Sequence, residues 1–585
     1  MSPSTHLPHK WWKEATGYQI YPASFKDANG DGFGDLRGIT ESLDYLKALG
    51  VDFIWISPIY ESPNHDMGYD ISDYEKISSK YGSMDDMEDL IQQAKARGFR
   101  ILMDLVVNHT SQDHKWFQES RKSKTNPYSD WYIWRDPRYN DTGERKPPSN
   151  WESVFGGSVW TYAPERDQYY FHLCLTEQPD LNWENSDTRR AIYASACEFW
   201  LKKGIDGFRV DLVNAYHKES TFPDAPIIDA MKDTQPLKLE WVLNGPRVHE
   251  WLREQRTEVL DRYGEDIALI GELPATGHDE VLRYVSADSR ELNMTLDFGL
   301  FIVGNNYSHR LHELRRHTTV ELKDQIAQTQ SLVAAGWTTT FLENHDSDRS
   351  VDHFGPGEGE YMKPAAKMLA LLCTTLSGTL IVYQGQEIGM TNVPKDSWKL
   401  DDFKDEMVLR YLREMEEEYP GDEIMKDKAF QASLSRGRDN SRTPMQWSSE
   451  NPHGGFSIGT STWLRVNPNY KNVNVASQIE DPDSVLSFWK LAIKSRKLFP
   501  DVFVHGRYQV VDRDNEQVFA YWKMSTSGSG AALVLLNFSS NVAKMPSLSL
   551  EDRASLRILI SSAGEPSDPI NADMTPWEGR VFVRR

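Results

Sequence analysis

Several apolar runs of the sequence carry reactive side chains at their ends. Asp104, Asn108 and His109 lie in or just after Arg100–Val106, Arg209 and Asp211 end Gly207–Asp211, Glu272 stands near the end of Ala268–Leu273, and His345 and Asp346 follow Thr338–Glu343. A single aspartate in such a place is more often a helix cap than a catalyst. Carboxylates at three separate run ends, one with an arginine two residues before it, suit glycoside chemistry. One carboxylate attacks, a second moves a proton, and a third holds sugar hydroxyls.

Groups so far apart in sequence need a scaffold that gathers run ends. The runs are Tyr18–Phe25, Asp52–Pro58, Arg100–Val106, Gly207–Asp211, Ala268–Leu273, Met294–Leu300, Thr338–Glu343 and Thr379–Tyr383. They are mostly unalternating, as strands buried on both faces read. Helical patterns such as Gly38–Leu49, Met84–Arg97 and Asp187–Lys203 follow several of them. The economical α/β solution is a (β/α)8 TIM barrel, with the reacting groups at the C-terminal strand ends. Residues 108–182, after the third strand, exceed a loop and are rich in Trp, Tyr, Pro and Asn, so they predict a small inserted domain. A second long insertion, 391–480, follows the eighth strand and contains the charge-dense Asp401–Glu423. After the amphipathic helix Pro482–Leu498, short strands at near-regular spacing predict a C-terminal antiparallel β-sandwich. The expected divisions are barrel over 1–107 and 183–500, inserted domain over 108–182, and sandwich over 501–585.

The 585 residues carry 65 Lys and Arg against 87 Asp and Glu, a net charge of −22. That field repels phosphate backbones, so no nucleic-acid partner is expected. No apolar run reaches the roughly 18 residues of a membrane span, and the opening MSPSTHLPHKWWKEATGYQIYP lacks the regions of a signal peptide. The expectation is a cytoplasmic protein without membrane association. Cys174, Cys197 and Cys373, odd in number and far apart, read as buried thiols. No repeat of 20–50 residues is present, against a solenoid or propeller. Oligomeric state leaves no trace in the sequence.

Read as motifs, the same residues stand as Asp104-Leu-Val-Val-Asn-His109, Gln178-Pro-Asp-Leu-Asn182, Gly207-Phe-Arg-Val-Asp211, Glu272 in Gly-Glu-Leu, and Glu343-Asn-His-Asp346. In that order they resemble the α-amylase family of glycoside hydrolases. WWKEATGYQIYPASFKD, HDMGYDISDY and SRTPMQW resemble its oligosaccharide α-glucosidase branch, and the resemblance covers essentially the whole chain. It implies an exo-acting, retaining α-glucosidase on short oligosaccharides, without an organic cofactor. Asp211 would be the nucleophile, Glu272 the acid/base, and Asp346 the carboxylate that stabilises the oxocarbenium-like transition state. Ends of adjacent parallel strands, about 4.8 Å apart, offer the roughly 5–5.5 Å between carboxyls that retention needs. Arg209 should keep Asp211 ionised. Glu272 should have apolar or negative surroundings that keep it protonated.

The resemblance further implies that His109 and His345 hydrogen-bond the sugar, and that Asp70 and Arg442 bind the non-reducing end of the terminal glucose and pair behind it. Tyr69 and Phe155 are candidates for stacking on the sugar, with core packing the competing use. Asp27-Ala-Asn-Gly-Asp31-Gly-Phe-Gly-Asp35 sets oxygens at alternate positions as in the first half of an EF-hand loop. The twelfth position is Gly38 rather than Glu, and Asn-Gly-Asp-Gly is also a good turn. The resemblance implies one structural Ca2+ here, held by Asp27, Asn29, Asp31, the carbonyl of Phe33, and Asp35. Two positions depart from the branch. Leu212 stands where isomaltose-preferring members have Val and maltose-preferring ones Thr. Cys174 stands where close relatives often have Phe; the smaller residue would either widen the aglycone side or be compensated by a neighbour such as Phe171. A transglycosylase or sucrose isomerase would share every catalytic residue. A non-catalytic binding subunit is disfavoured by the intact carboxylates.

Overall fold

The computed structural model describes residues 10–584 except 229–232, 287, 304–310, 314, 451, 529 and 565–567. Eight strands form one sheet: β1 (Thr16–Ile20), β2 (Phe53–Ile56), β3 (Arg100–Leu105), β4 (Gly207–Val210), β5 (Ala268–Glu272), β6 (Met294–Leu296), β7 (Thr339–Thr340) and β8 (Thr379–Tyr383). Their order is β6-β5-β4-β3-β2-β1-β8-β7, the strand order of a (β/α)8 barrel. All five residues of β1, of β5 and of β8 are buried, which is why these runs read without alternation.

The chain divides into a terminal unit, Met1–Ile54, Gln92–Arg100 and Asp297–Arg585, and a central unit, Trp55–Ile91 and Ile101–Leu296. In the central unit β4 lies between β3 and β5, pairing in parallel with both. Gly207 opens β4 at φ +154°, where an added Cβ would stand 2.0 Å from the Ala268 carbonyl oxygen. Only a glycine lets β4 approach β5 this closely.

The inserted domain belongs to the central unit. Strands Trp160–Ala163, Gln168–Phe171 and Trp134–Arg135 form a small antiparallel sheet. Its core joins Trp151, Trp160 and Phe171 to Ala215, Phe222 and Val242, so residues beyond β4 complete what 108–182 alone does not close. Lys218, from the same stretch, is buried. Its Nζ bonds Asp180 Oδ2 (2.6 Å), Asn108 Oδ1 (2.7 Å) and the Ala215 carbonyl.

In the terminal unit the acidic run of the second insertion resolves into helices Glu406–Glu418 and Glu423–Arg436, over a core of Trp398, Phe403, Val408 and Leu434. At the C-terminus, β9 (Arg507–Val511), β10 (Val518–Met524), β11 (Ala531–Asn537), β12 (Leu556–Ser561) and β13 (Gly579–Arg584) form one antiparallel sheet, order β9-β10-β11-β13-β12. The expected sandwich is thus a single sheet among the described residues. Ala543 and Met574, from outside the strands, help fill one apolar face. On the other side Gly579 abuts Leu371 of helix Met362–Thr375, and Tyr521 Oη meets Thr375 Oγ1 at 2.5 Å. Lys523 Nζ, buried, bonds the Ser377 hydroxyl and the Gly506 carbonyl, while Arg496 donates to the carbonyls of Thr374, Leu376 and Gly378. Both side chains therefore grip the turn that leads into β8, and burial together with Arg496 pushes the Lys523 amine well below its ordinary pKa.

Candidate active site

Register puts the reactive residues of the central unit side by side. Arg209 pairs with Asp104 across β4–β3 and Val210 with Gly271 across β4–β5, so Asp211 and Glu272 end neighbouring strands. The Arg209 guanidinium is buried among three carboxylates: Nη1 lies 2.7 Å from Asp104 Oδ1 and 2.7 Å from Asp211 Oδ1, and Nη2 lies 2.8 Å from Glu272 Oε2. Asp211 and Glu272 are largely buried, with 6% and 9% of their surface still exposed.

One cation cannot neutralise three buried anions, so the cluster must hold protons. Burial raises Asp211 to about 6, against the pull of Arg209; Asp104 raises it further, while hydrogen bonds from Glu272 and Arg209 lower it. Burial likewise lifts Asp104 to about 6, although Arg209 and the Trp55 indole N–H (2.8 Å) favour its anion. Arg209 thus pulls Asp211 toward its anion while burial opposes it. The surroundings expected of Glu272 differ, since a guanidinium touches it.

Leu212, next after Asp211, has a left-handed backbone (φ +41°, ψ +40°), and its side chain packs against the inserted-domain core. Tyr69 reaches the same cluster, its ring centre 5.8 Å from the Arg209 guanidinium carbon. His109 is spent on protein: Nε2 donates to the Tyr69 carbonyl (3.0 Å) and Nδ1 accepts from Asn108 Nδ2 (3.3 Å). Burial lowers its pKa and keeps it neutral. Phe155 is half-buried, and its N–H donates to Ser153 Oγ.

Asp70 is fully buried, and its oxygens accept from Ser62 Oγ (2.9 Å), His65 N (3.0 Å) and Asp66 N (3.2 Å). This carboxylate staples its own loop. Asp66, four residues earlier, is half-exposed, accepts from Gln178 Nε2 (3.2 Å), and is close enough for its charge to act on both His109 and Cys174. The segment HDMGYD holds both aspartates, and the choice between them needs the hydrogen bonds. Cys174 is a buried thiol whose pKa burial pushes well up. Phe171 is wholly inside the inserted-domain core and does not stand in for a larger residue at 174.

The terminal unit holds the other predicted residues. His345 Nε2 lies 3.0 Å from Asp346 Oδ2, and its Nδ1 lies 2.8 Å from Gln19 Nε2. Arg442 donates to the His345 carbonyl (2.9 Å) and to Asp346 Oδ1 (3.0 Å), which Arg438 also approaches at 3.2 Å. Arg438, missed from the sequence, is in turn held by Asp405 at 2.6 Å. Arg349, also missed, is buried against Glu343 and donates to the carbonyls of Gln384, Asn440 and Ser441. It thereby fixes the segment that carries Arg442.

In the Asp27–Asp35 loop, Asp27 and Asp35 are buried, and the charge of Asp27 adds to the burial that raises Asp35. The loop oxygens accept backbone N–H groups: Asp27 from Gly30 and Gly32, Asn29 from Asp31, Asp31 from Phe33, and Asp35 from Ala28 and Gly38. Asp35 also caps the helix Leu36–Glu41. Among the described residues no three acidic, imidazole or thiol side chains converge as a ready metal centre. The donor set itself, all oxygen and rich in carboxylate, fits a hard divalent cation. Among the described residues no helix is long and apolar enough to cross a membrane.

Two largely buried acids on adjacent barrel strands, tied to one guanidinium, define a glycoside hydrolase on a (β/α)8 scaffold. The chain belongs to the α-amylase family, whose catalytic-domain model matches residues 19–506. It is 42% identical to an alpha-glucosidase of Candida albicans over 98% of this chain and 99% of that one. It is 43% identical to an oligo-1,6-glucosidase of Parageobacillus thermoglucosidasius, again over 98% and 99%. Among solved structures, trehalose-6-phosphate hydrolase of Bacillus licheniformis superposes with a TM-score of 0.88 at 38% identity, over 98% of this chain and all of that one. An isomaltulose synthase mutant of Erwinia rhapontici, solved with sucrose, gives 0.89 at 37% identity over 99% of both chains.

Proposed function

We propose that this chain is an exo-acting, retaining α-glucosidase that releases α-glucose from the non-reducing end of short α-glucosides of the maltose, isomaltose or sucrose type. The observation that carries the reading is the pairing of Asp211 and Glu272 on β4 and β5, hydrogen-bonded to each other and sharing Arg209. Asp211 attacks the anomeric carbon while Glu272 protonates the departing oxygen. Glu272 then takes a proton from water as that water displaces Asp211. Asp346, oriented by His345, Arg438 and Arg442, is the third carboxylate. Tyr69 and Asp66 are the sugar-facing groups of their loop, while Asp70 and His109 shape it. Phe155 and Leu212 lie toward the second sugar. The relatives named above act as alpha-glucosidase and oligo-1,6-glucosidase, which favours hydrolysis. The likeness to isomaltulose synthase keeps isomerisation or transfer as the second reading.

The test is an initial-rate panel of maltose, isomaltose, sucrose and trehalose, with products resolved by chromatography and the first-formed anomer read by NMR. Glucose released as the α-anomer from at least one of the first three supports the proposal. First-formed β-glucose would remove the covalent mechanism, and rearranged disaccharide as main product from sucrose would select the isomerase. Asp27, Asn29, Asp31, the Phe33 carbonyl and Asp35 are proposed to hold one Ca2+, whose contribution is to clamp the loop after β1. Location in the cytoplasm belongs to the same proposal and is checked by cell fractionation.

A further inference from the structure

The left-handed turn at Leu212 is an unusual place for a branched side chain, since φ near +41° is ordinarily left to Gly, Asn or Asp. Its visible effect is to aim the Leu212 N–H at the acid/base: the nitrogen lies 3.0 Å from Glu272 Oε2. The same oxygen receives Arg209 Nη2 at 2.8 Å. Two donors on one carboxylate oxygen mark it as the oxygen that carries no proton, because an O–H there would face two N–H groups. The side chain of Leu212 packs against the inserted-domain core.

We infer that Leu212 is a positioning residue whose strained backbone dedicates Glu272 Oε2 to accepting, and so makes Oε1 the atom that gives the proton to the leaving group and takes it from water. This rests on Glu272 being the acid/base. The charged groups facing Glu272 are Arg209 and Asp211 of the β4 end and Asp104 of β3. The Leu212 N–H adds to them a fixed donor that favours the carboxylate. Removing it therefore raises the pH at which Glu272 loses its proton and lets that proton settle on the wrong oxygen.

The test replaces the amide N–H of residue 212 by an ester oxygen in the full chain, by suppression with the α-hydroxy analogue of leucine. The basic limb of kcat/KM should move up by about half a pH unit or more. Turnover of isomaltose or maltose should fall about tenfold, and that of an aryl glucoside with an acidic leaving group by much less. Leu212→Gly, which keeps the N–H and adopts positive φ freely, should retain the wild-type basic limb and leaving-group sensitivity. An ester protein with an unmoved limb and equal losses on both substrates overturns the inference, as does Leu212→Gly shifting like the ester. If the ester protein fails to fold, the Leu212 amide proton of the wild-type enzyme, followed by NMR, should shift with the titration that sets the basic limb; an amide resonance that stays flat across that limb overturns the inference. Glu272→Gln run alongside separates the two readings. If its loss is the same for acidic and poor leaving groups, the acid/base assignment falls, whatever residue 212 does.

Discussion

Arg209 illustrates how much a single side chain can decide. Three buried carboxylates lean on one guanidinium, and a lysine could not serve them, since an ammonium lacks the planar fork that spans several acceptors. We expect Arg209→Lys to lower kcat by about a hundredfold or more while the protein still folds, read from steady-state kinetics beside a thermal melt. Asp211→Asn should remove turnover by several powers of ten, because an amide cannot form the glycosyl ester. The position of Asp211 near 6 sets a sign for the pH profile. As pH falls through about 6 the nucleophile gains a proton, so kcat/KM should drop up to tenfold per pH unit on the acid side, while at pH 7 and above the carboxylate is available. A profile flat from pH 7 to 4.5 would contradict the buried, shared environment. At this scale the motifs made Asp211 and Glu272 legible as residues at the ends of neighbouring runs, and the strand register sets those ends side by side. The sequence misled for Asp70 against Asp66, because two aspartates four residues apart differ only in which one the loop amides consume.

Strand pairing carries the next level of control. The β4–β5 contact depends on Gly207, and Gly207→Ala would drive a methyl into the Ala268 carbonyl at the base of the two strands that end in Asp211 and Glu272. We expect a loss of at least about 3 kcal/mol in stability, with any folded remainder slow, measured by denaturant melts and activity on the same samples. Lys218→Met tests the inserted domain in the same way. It leaves Asp180 buried without its cation, and about 3–5 kcal/mol should be lost, with proteolysis appearing first in the inserted domain. The barrel strands were readable because runs buried on both faces stay apolar throughout. Strand β8 matches its sequence limits residue for residue, whereas β7 shrinks to two residues because Phe341–Glu343 leave the sheet. The inserted-domain core escaped sequence reading for a different reason. Its partners at 215–243 lie beyond β4, and no local pattern announces a contact made across a catalytic strand.

For the molecule as a whole, the −22 net charge concentrates repulsion that a bound cation at the Asp27–Asp35 loop would relieve locally. Ligand binding to the native state stabilises it by about 2.7 kcal/mol at a hundred times Kd. A chelator should therefore lower Tm by a few degrees, Ca2+ should restore it, and an Asp31→Ala protein should melt alike with and without chelator. Identical wild-type melts in both conditions would exclude the cation. The grip of Lys523 and Arg496 on the turn before β8 bears on how such a protein can change over evolutionary time. A gene that stopped before β9 would strip the hydroxyl of Ser377 of its Lys523 partner and bare the flank of helix Met362–Thr375. The C-terminal sheet is therefore not a cartridge to be exchanged between proteins or trimmed from a shorter construction. A substitution on either side of this contact therefore has to suit the other side.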